Sequence, residues 1–93
     1  MKYDKLNSIK EVKNIFVVED IKFYIRINSY VKKELSNYES VTILNDSVIM
    51  IQNISNFIYD LKGIVTYNEL YCEFTNNEIE YIENIIKQFE GLK

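Results

Sequence analysis

The clearest pattern of apolar and polar positions begins near residue 41 and predicts a β-hairpin. Two apolar runs, Val41–Leu44 and Val48–Ile51, are separated by the turn-forming residues Asn45, Asp46 and Ser47. Short β-branched runs joined by a few turn residues are typical of antiparallel strands. Because the second run is apolar at every position, we expect both of its faces to be covered.

Three short helices are predicted after the hairpin. The first is placed between Asn53, which fits an N-cap, and Gly63, which fits the residue after a helix C-terminus. The second opens with the capping-box pattern Thr66–Glu69, and the third runs from Asn77 to Gly91. The predicted buried stripes are Ile54, Phe57, Ile58 and Leu61 in the first, Tyr67, Leu70, Tyr71 and Phe74 in the second, and Ile79, Ile82, Ile86 and Phe89 in the third.

The segment before the hairpin is predicted less fully. Ser8–Glu11 fits a capping box that opens a short helix to about Lys13, and Ile15–Val18 is a short apolar run. In Ile21–Ile27 apolar and polar residues alternate with period two, which favours a strand. The segment Ser29–Asn37 fits either a helix or an exposed strand, and both interpretations stay open.

The composition excludes the common catalytic arrangements. The 93 residues make one domain and include no histidine, so Ser-His and Cys-His nucleophile pairs cannot form. The carboxylate pairs Glu69/Glu73 and Glu80/Glu83 lie at helical spacing, and we expect them on a solvated face. The single cysteine, Cys72, is expected to be a small buried hydrophobe. We therefore predict a protein that is not an enzyme, with no catalytic residues, no metal site and no cofactor.

Charge is distributed unevenly along the chain. Residues 1–40 carry eight basic and six acidic side chains, whereas residues 41–93 carry three basic and eight acidic ones. Acidic helices argue against a nucleic-acid partner, which would need lysine and arginine to replace condensed counterions. We find no signal-peptide pattern, and no apolar run approaches the roughly 20 residues of a membrane span. We therefore expect a reducing, cytoplasmic location and no membrane partner.

The region from about Tyr30 to Lys93 resembles the PqqD family of precursor-peptide recognition elements, which serve the biosynthesis of ribosomally made, modified peptides. The resemblance rests on the hairpin strands, the Gly-terminated helix and the capping pattern that follows it. The matching segments are Val41-Thr42-Ile43-Leu44, Val48-Ile49-Met50-Ile51-Gln52-Asn53, Ile58-Tyr59-Asp60-Leu61-Lys62-Gly63, Thr66-Tyr67-Asn68-Glu69-Leu70 and Phe89-Glu90-Gly91-Leu92.

This resemblance implies an α+β, winged helix-turn-helix-like fold, with a small antiparallel sheet of about three strands followed by three helices. Residues 1–28 would be an N-terminal extension of a short helix and a strand, residues 29–93 the peptide-binding domain, and the whole a single compact domain. The resemblance further implies that the leader segment of a precursor peptide adds as a strand to an open edge of the hairpin, beside the last helix. The chain would present this peptide to a modifying enzyme, as a monomer or homodimer. The implied peptide-binding residues are Val48, Ile49, Met50, Ile51, Gln52, Tyr81, Ile82, Ile85 and Gln88.

Two other functions stay open from the sequence. A small acidic inhibitor or immunity-type protein, of the phage anti-defence or antitoxin class, could use the acidic half of the chain to occupy a basic site on a target enzyme. A DNA-binding winged helix is the third interpretation, and the acidic final helices disfavour it.

Overall fold

The computed structural model describes residues 14–35 and 40–92, and the fold is α+β, as predicted. The helix predicted over residues 8–13 lies outside the described residues. The chain divides into two compact units, with the boundary between Asn53 and Ile54. In chain order the elements are β1 (Ile15–Val17), α1 (Ile21–Tyr30), a π-helical turn (Val31–Leu35), β2 (Val41–Asn45), β3 (Val48–Ile51), α2 (Ile54–Tyr71) and α3 (Asn76–Glu90).

The first unit contains an antiparallel three-stranded sheet with the order β1-β3-β2. The predicted hairpin is confirmed as β2 and β3, which pair from Val41 opposite Ile51 to Asn45 opposite Val48. A register shift between Ile43 and Asn45 marks a bulge at the end of β2. The Asn45 side-chain oxygen accepts a hydrogen bond from the Ser47 N–H at 2.9 Å, which holds the turn.

The third strand of the sheet is β1, which pairs with β3 from Ile15 opposite Met50 to Val17 opposite Val48. This ladder is continued at both ends. The Ile51 N–H donates to the Asn14 carbonyl (3.0 Å), and the Val18 N–H donates to the Ser47 carbonyl (2.8 Å). Consequently β3 is paired on both sides and is the central strand.

The strand predicted at Ile21–Ile27 is wrong, because these residues form most of helix α1. Asp20 caps the helix, with its side-chain oxygen accepting a hydrogen bond from the Phe23 N–H at 3.1 Å. The buried residues are Phe23, Tyr24 and Ile27, with Val31 following in the π-helical turn, and they recur at helical spacing. Ile25, which the strand would have buried, is 45% exposed. The described part of the open segment Ser29–Asn37 is therefore helical.

The second unit is a pair of helices in which two predicted helices are fused into one. Gly63, expected just after a helix end, lies inside the 18-residue helix α2, as does the expected capping box at Thr66–Glu69. The buried face continues through the glycine, since Leu61 and Ile64 are both fully buried. Burial of this face outweighs the roughly 1 kcal/mol that an internal glycine costs relative to alanine.

The connection between α2 and α3 is fixed by polar contacts. Cys72, after the last residue of α2, adopts the left-handed conformation (φ 53°). The Asn68 side chain accepts from the Phe74 N–H (2.7 Å) and donates to the Phe74 carbonyl (3.1 Å). Helix α3 is capped by Thr75 in a capping box with Glu78, two residues earlier than the predicted start at Asn77.

The two helices pack through apolar side chains in the unit's core. The rings of Phe57 on α2 and Phe89 on α3 meet edge to face, with 5.4 Å between centroids. The predicted stripe of α3 is confirmed at Ile82, Ile86 and Phe89, all buried, whereas Ile79 is only half-buried. The helix ends at Glu90, before Gly91, as predicted.

Candidate functional site

The predicted open edge at Val48–Gln52 is wrong, because β1 occupies it. Antiparallel strands direct alternate residues to opposite neighbours. Since the Ile51 N–H donates to Asn14, the N–H groups of Ile49 and Ile51 face β1. The Gln52 N–H donates to the Ser40 carbonyl (3.1 Å), so the Met50 N–H faces β2. Strand β3 therefore has no unpaired backbone group to offer while β1 is in place.

The predicted covering of both faces of β3 is confirmed. Val48, Ile49 and Ile51 are each 0% exposed, and Met50 is half-buried. Val48 and Ile49 point to opposite faces, since successive strand residues alternate. Gln52 is exposed beyond the strand end.

The outer edges of the sheet are short. On β2, the N–H and C=O groups of Val41 and Ile43 face away from β3, and the Val41 carbonyl accepts a hydrogen bond from the Asn28 side chain of α1 at 2.9 Å. On β1, the groups of Ile15 and Val17 face away from β3 in the same manner. Short or covered edges are a common protection against unwanted strand pairing.

The four predicted site residues on α3 fall into two pairs. Ile82 and Ile85 are buried, with exposed fractions of 0% and 2%, whereas Tyr81 is 36% exposed and Gln88 is also exposed. Only Tyr81 and Gln88 could contact a ligand without a rearrangement. The nine predicted residues are thus divided between the two units, and their role in peptide binding stays a prediction.

An open groove runs between α2 and α3. The first part of the groove lies at the connection, between the C-terminal end of α2 and the N-terminal end of α3. The second part lies further along the two helices, and Val65 and Thr66 line both parts. The ion pair between Lys62 Nζ and Glu90 Oε2 (2.9 Å) stands at the side of this groove. The remaining lining residues are mixed polar and apolar: Asn68, Glu69, Cys72, Phe74, Thr75, Asn76, Ile79, Glu83, Ile86 and Lys87.

The residues expected to lack chemistry are mostly placed as predicted. Glu69, Glu73, Glu80 and Glu83 are all exposed. Cys72 is a correction, because it is exposed at the end of α2 rather than buried. Among the described residues no group of three or more acidic or cysteine side chains is arranged to hold a metal ion. No described helix combines the length and apolar character needed to cross a membrane.

The buried stripe predicted for the second helix is wrong at Tyr67, Leu70 and Tyr71, which belong to the most exposed apolar surface of the described residues, and only Phe74 is buried. Tyr59, Gly63, Tyr67, Leu70 and Tyr71 follow one another along α2, and we call this set the tyrosine stripe. The exposed fractions are 78% for Tyr59, 44% for Tyr67, 74% for Leu70 and 68% for Tyr71. The Tyr67 and Tyr71 rings lie 6.2 Å apart between centroids. The four-residue spacing was visible in the sequence, but the helix break predicted at Gly63 divided it.

Comparisons with known proteins give no further identification. No family model, no curated protein and no solved structure matches this chain.

Proposed function

We propose that this chain is a non-catalytic peptide-binding protein in which an extended segment of a partner pairs with β3 in the place of β1. The observation that carries the proposal is the strand β1 itself. It has three residues, and it closes one side of a strand that is otherwise fully apolar and fully paired. A segment that replaced β1 would inherit a ready-made site for an antiparallel strand.

The two neighbours of β3 differ in how firmly they are held. Strand β2 is joined to β3 by a tight turn, whereas β1 precedes β3 by 30 residues or more and pairs over three positions. Val17 is 53% exposed, so only part of β1 is anchored by burial. These features favour exchange at β1 over exchange at β2.

The exchange site selects for a pattern of side chains. The residue that takes the place of Ile15 must be apolar, because Ile15 is 2% exposed. Its neighbour, at the place of Phe16, lies on the other face and is half-buried, and the place of Val17 accepts polar residues. Backbone hydrogen bonds to Ile49 and Ile51 would give affinity for any extended chain, and the Ile15 position would give selection.

The resemblance to precursor-peptide recognition elements suggests the partner. Under this proposal, the bound segment is the leader of a ribosomally synthesised precursor peptide, and the chain presents it to a separate modifying enzyme. Strand β1 competes with the leader as part of the same chain. The apparent affinity for the leader is therefore the intrinsic affinity multiplied by the fraction of molecules in which β1 is detached. A leader that pairs with more residues than β1 does would offset this loss.

A reversible disulfide between β1 and β3 tests the exchange. Val17 and Val48 are opposite each other at a non-hydrogen-bonded position, where Cα atoms lie about 4.5 Å apart, within the range of a disulfide. The variant Val17→Cys/Val48→Cys is made in a Cys72→Ser background. A random peptide display library is selected on the reduced protein, and the enriched peptides are measured against both forms.

We expect peptides with an apolar residue at the Ile15 position to bind the reduced form, and oxidation to lower their affinity at least tenfold. The matched control is a β2–β3 disulfide, Ile43→Cys/Ile49→Cys, which should leave binding unchanged on oxidation. Peptides that bind both forms of the Val17→Cys/Val48→Cys variant equally would exclude exchange at β1. Failure to enrich any peptide on the reduced form would also contradict the proposal.

A second candidate is the acidic inhibitor, and the charge of the second unit favours it. Residues 54–92 carry seven acidic and two basic side chains, and Glu80 and Glu83 on α3 are exposed. Such a surface suits a basic site on a target enzyme and accelerates its encounter at low salt. The double variant Glu80→Lys/Glu83→Lys should abolish target binding under this function and leave peptide exchange at β1 unchanged.

A further inference from the structure

The tyrosine stripe starts at Tyr59 and Leu70 on the outer side of α2 and winds toward the flank of the core, where Tyr71 is seven positions from the buried Ile64. Tyr59 and Leu70 are eleven positions apart, which brings them within about 20° of each other around a helix of 3.6 residues per turn. The buried residues Phe57, Ile58 and Leu61 lie opposite Tyr59 and Leu70. A helix in a globular protein normally carries polar residues opposite its core, so an aromatic stripe there indicates an interaction surface.

The spacing of the stripe makes it self-complementary. Tyr59, Gly63, Tyr67 and Tyr71 are four residues apart and form one ridge, and two such ridges interdigitate in the commonest class of helix packing. The four positions are symmetric about residue 65. In an antiparallel pair of α2 helices, Tyr67 therefore meets the partner's Gly63, where the missing side chain leaves room for a ring.

The area of the stripe suits a second copy of this chain. Taking about 200 Å² as the surface of one such side chain, the exposed fractions leave about 500 Å² per copy. Complete burial of the stripe in both copies would remove about 1,000 Å² from solvent, the lower limit for a biological interface. Tyrosine is also enriched at interfaces, since its hydroxyl can stay at the wet rim while its ring is buried.

We propose that the tyrosine stripe is the interface of a homodimer, with two α2 helices crossing antiparallel near residue 65. The stripe has no acidic or basic side chain, whereas its surroundings are acidic. Two copies with a net charge of −3 repel each other. Added salt screens this repulsion, so it should strengthen a homodimer but weaken binding of a basic partner to the same surface.

Sedimentation of the full chain tests the dimer. We expect a monomer–dimer equilibrium with a dissociation constant between about 1 μM and about 500 μM, which suits an interface of the smallest size class. Leu70→Glu should weaken dimerisation at least about 100-fold, because each dimer would bury two carboxylates in its interface. The matched control is Leu92→Glu, at a residue that is 55% exposed outside the stripe, and it should change the dissociation constant less than about threefold.

A crosslink reports the geometry independently of affinity. Because Tyr67 meets the partner's Gly63, an equimolar mixture of Gly63→Cys and Tyr67→Cys chains, both in a Cys72→Ser background, should oxidise to a covalent dimer much faster than Leu92→Cys in the same background. A chain that is monomeric at the highest concentration would overturn the proposal. So would a dimer that Leu70→Glu leaves intact, because it would form through another surface. Neither result would bear on peptide exchange at β1.

Discussion

The two units of this protein differ in how far their apolar residues are buried. The sheet of the first unit buries Val48, Ile49 and Ile51 completely and pairs both sides of the strand that carries them. The second unit buries one face of α2 and exposes Tyr59 and Leu70 on the other. A partner of the sheet must therefore wait for β1 to leave, whereas a partner of α2 finds its surface already formed. Binding at β3 is limited by the detachment of β1, and binding at α2 is limited by the small area of the tyrosine stripe.

The units also differ in the range of the contacts that hold them. The pairing of Ile15 with Met50 joins residues far apart in the sequence, whereas α2 and α3 are joined by a four-residue connection. Local contacts lose less chain entropy on forming, so the helical pair should form faster than the three-stranded sheet.

The largest effect is expected in the core of the helical unit. Phe57 is 1% exposed and contacts the Phe89 ring, so Phe57→Ala should lower the free energy of unfolding by about 3–5 kcal/mol. Tyr59, two residues along, is 78% exposed, and Tyr59→Ala should change the free energy of unfolding by less than about 0.5 kcal/mol. Denaturant unfolding of both variants makes the measurement. Similar losses for the two would show that the stripe is part of the core.

Proline substitutions sharpen the distinction between the centre and the edge of the sheet. Met50→Pro removes an N–H that faces β2 and deprives the half-buried Thr42 of its partner, so it should cost about 2–3 kcal/mol. The N–H of Val17 faces away from β3, and Val17→Pro should cost less than about 1 kcal/mol. Thermal unfolding would detect the difference. An equal loss would mean that the two strands are equally indispensable.

The smallest effect is a gain at the end of α2. Cys72 has a φ of 53°, a conformation that glycine adopts without a steric penalty. Cys72→Gly should therefore raise the free energy of unfolding by about 0.5–1 kcal/mol, as measured by denaturant unfolding. Cys72→Val is the matched control and should be destabilising, since a β-branched residue resists this conformation.

Local sequence signals predicted the elements whose own pattern was unambiguous. The hairpin and the burial of α3 could be predicted because turn residues and a helical stripe specify them. Helix α1 was missed because Ile21, Phe23, Ile25 and Ile27 fit period two as well as Phe23, Tyr24 and Ile27 fit a helix. The N-cap at Asp20 was the local signal for this helix. The helix end predicted at Gly63 is wrong because tertiary packing, which overrides the low helix propensity of glycine, is not visible in the sequence.

The candidate site was predicted in part. The apolar pattern of β3 indicated correctly that both faces are covered. It could not indicate that β1, which precedes β3 by more than 30 residues, closes the second side, because strand pairing at that separation depends on the whole fold. The tyrosine stripe could have been recognised from the four-residue spacing of Tyr59, Gly63, Tyr67 and Tyr71 if the helix had not been divided at Gly63.

The detachment of β1 is tested most directly by amide hydrogen exchange along β3 in the free protein. The N–H groups of Ile49 and Ile51 face β1, and that of Met50 faces β2. If β1 opens on its own, the Ile49 and Ile51 amides should exchange at least about tenfold faster than the Met50 amide, which stays bonded within the hairpin. Equal protection of all three would mean that the sheet opens only as a whole, and that β1 is a fixed part of it.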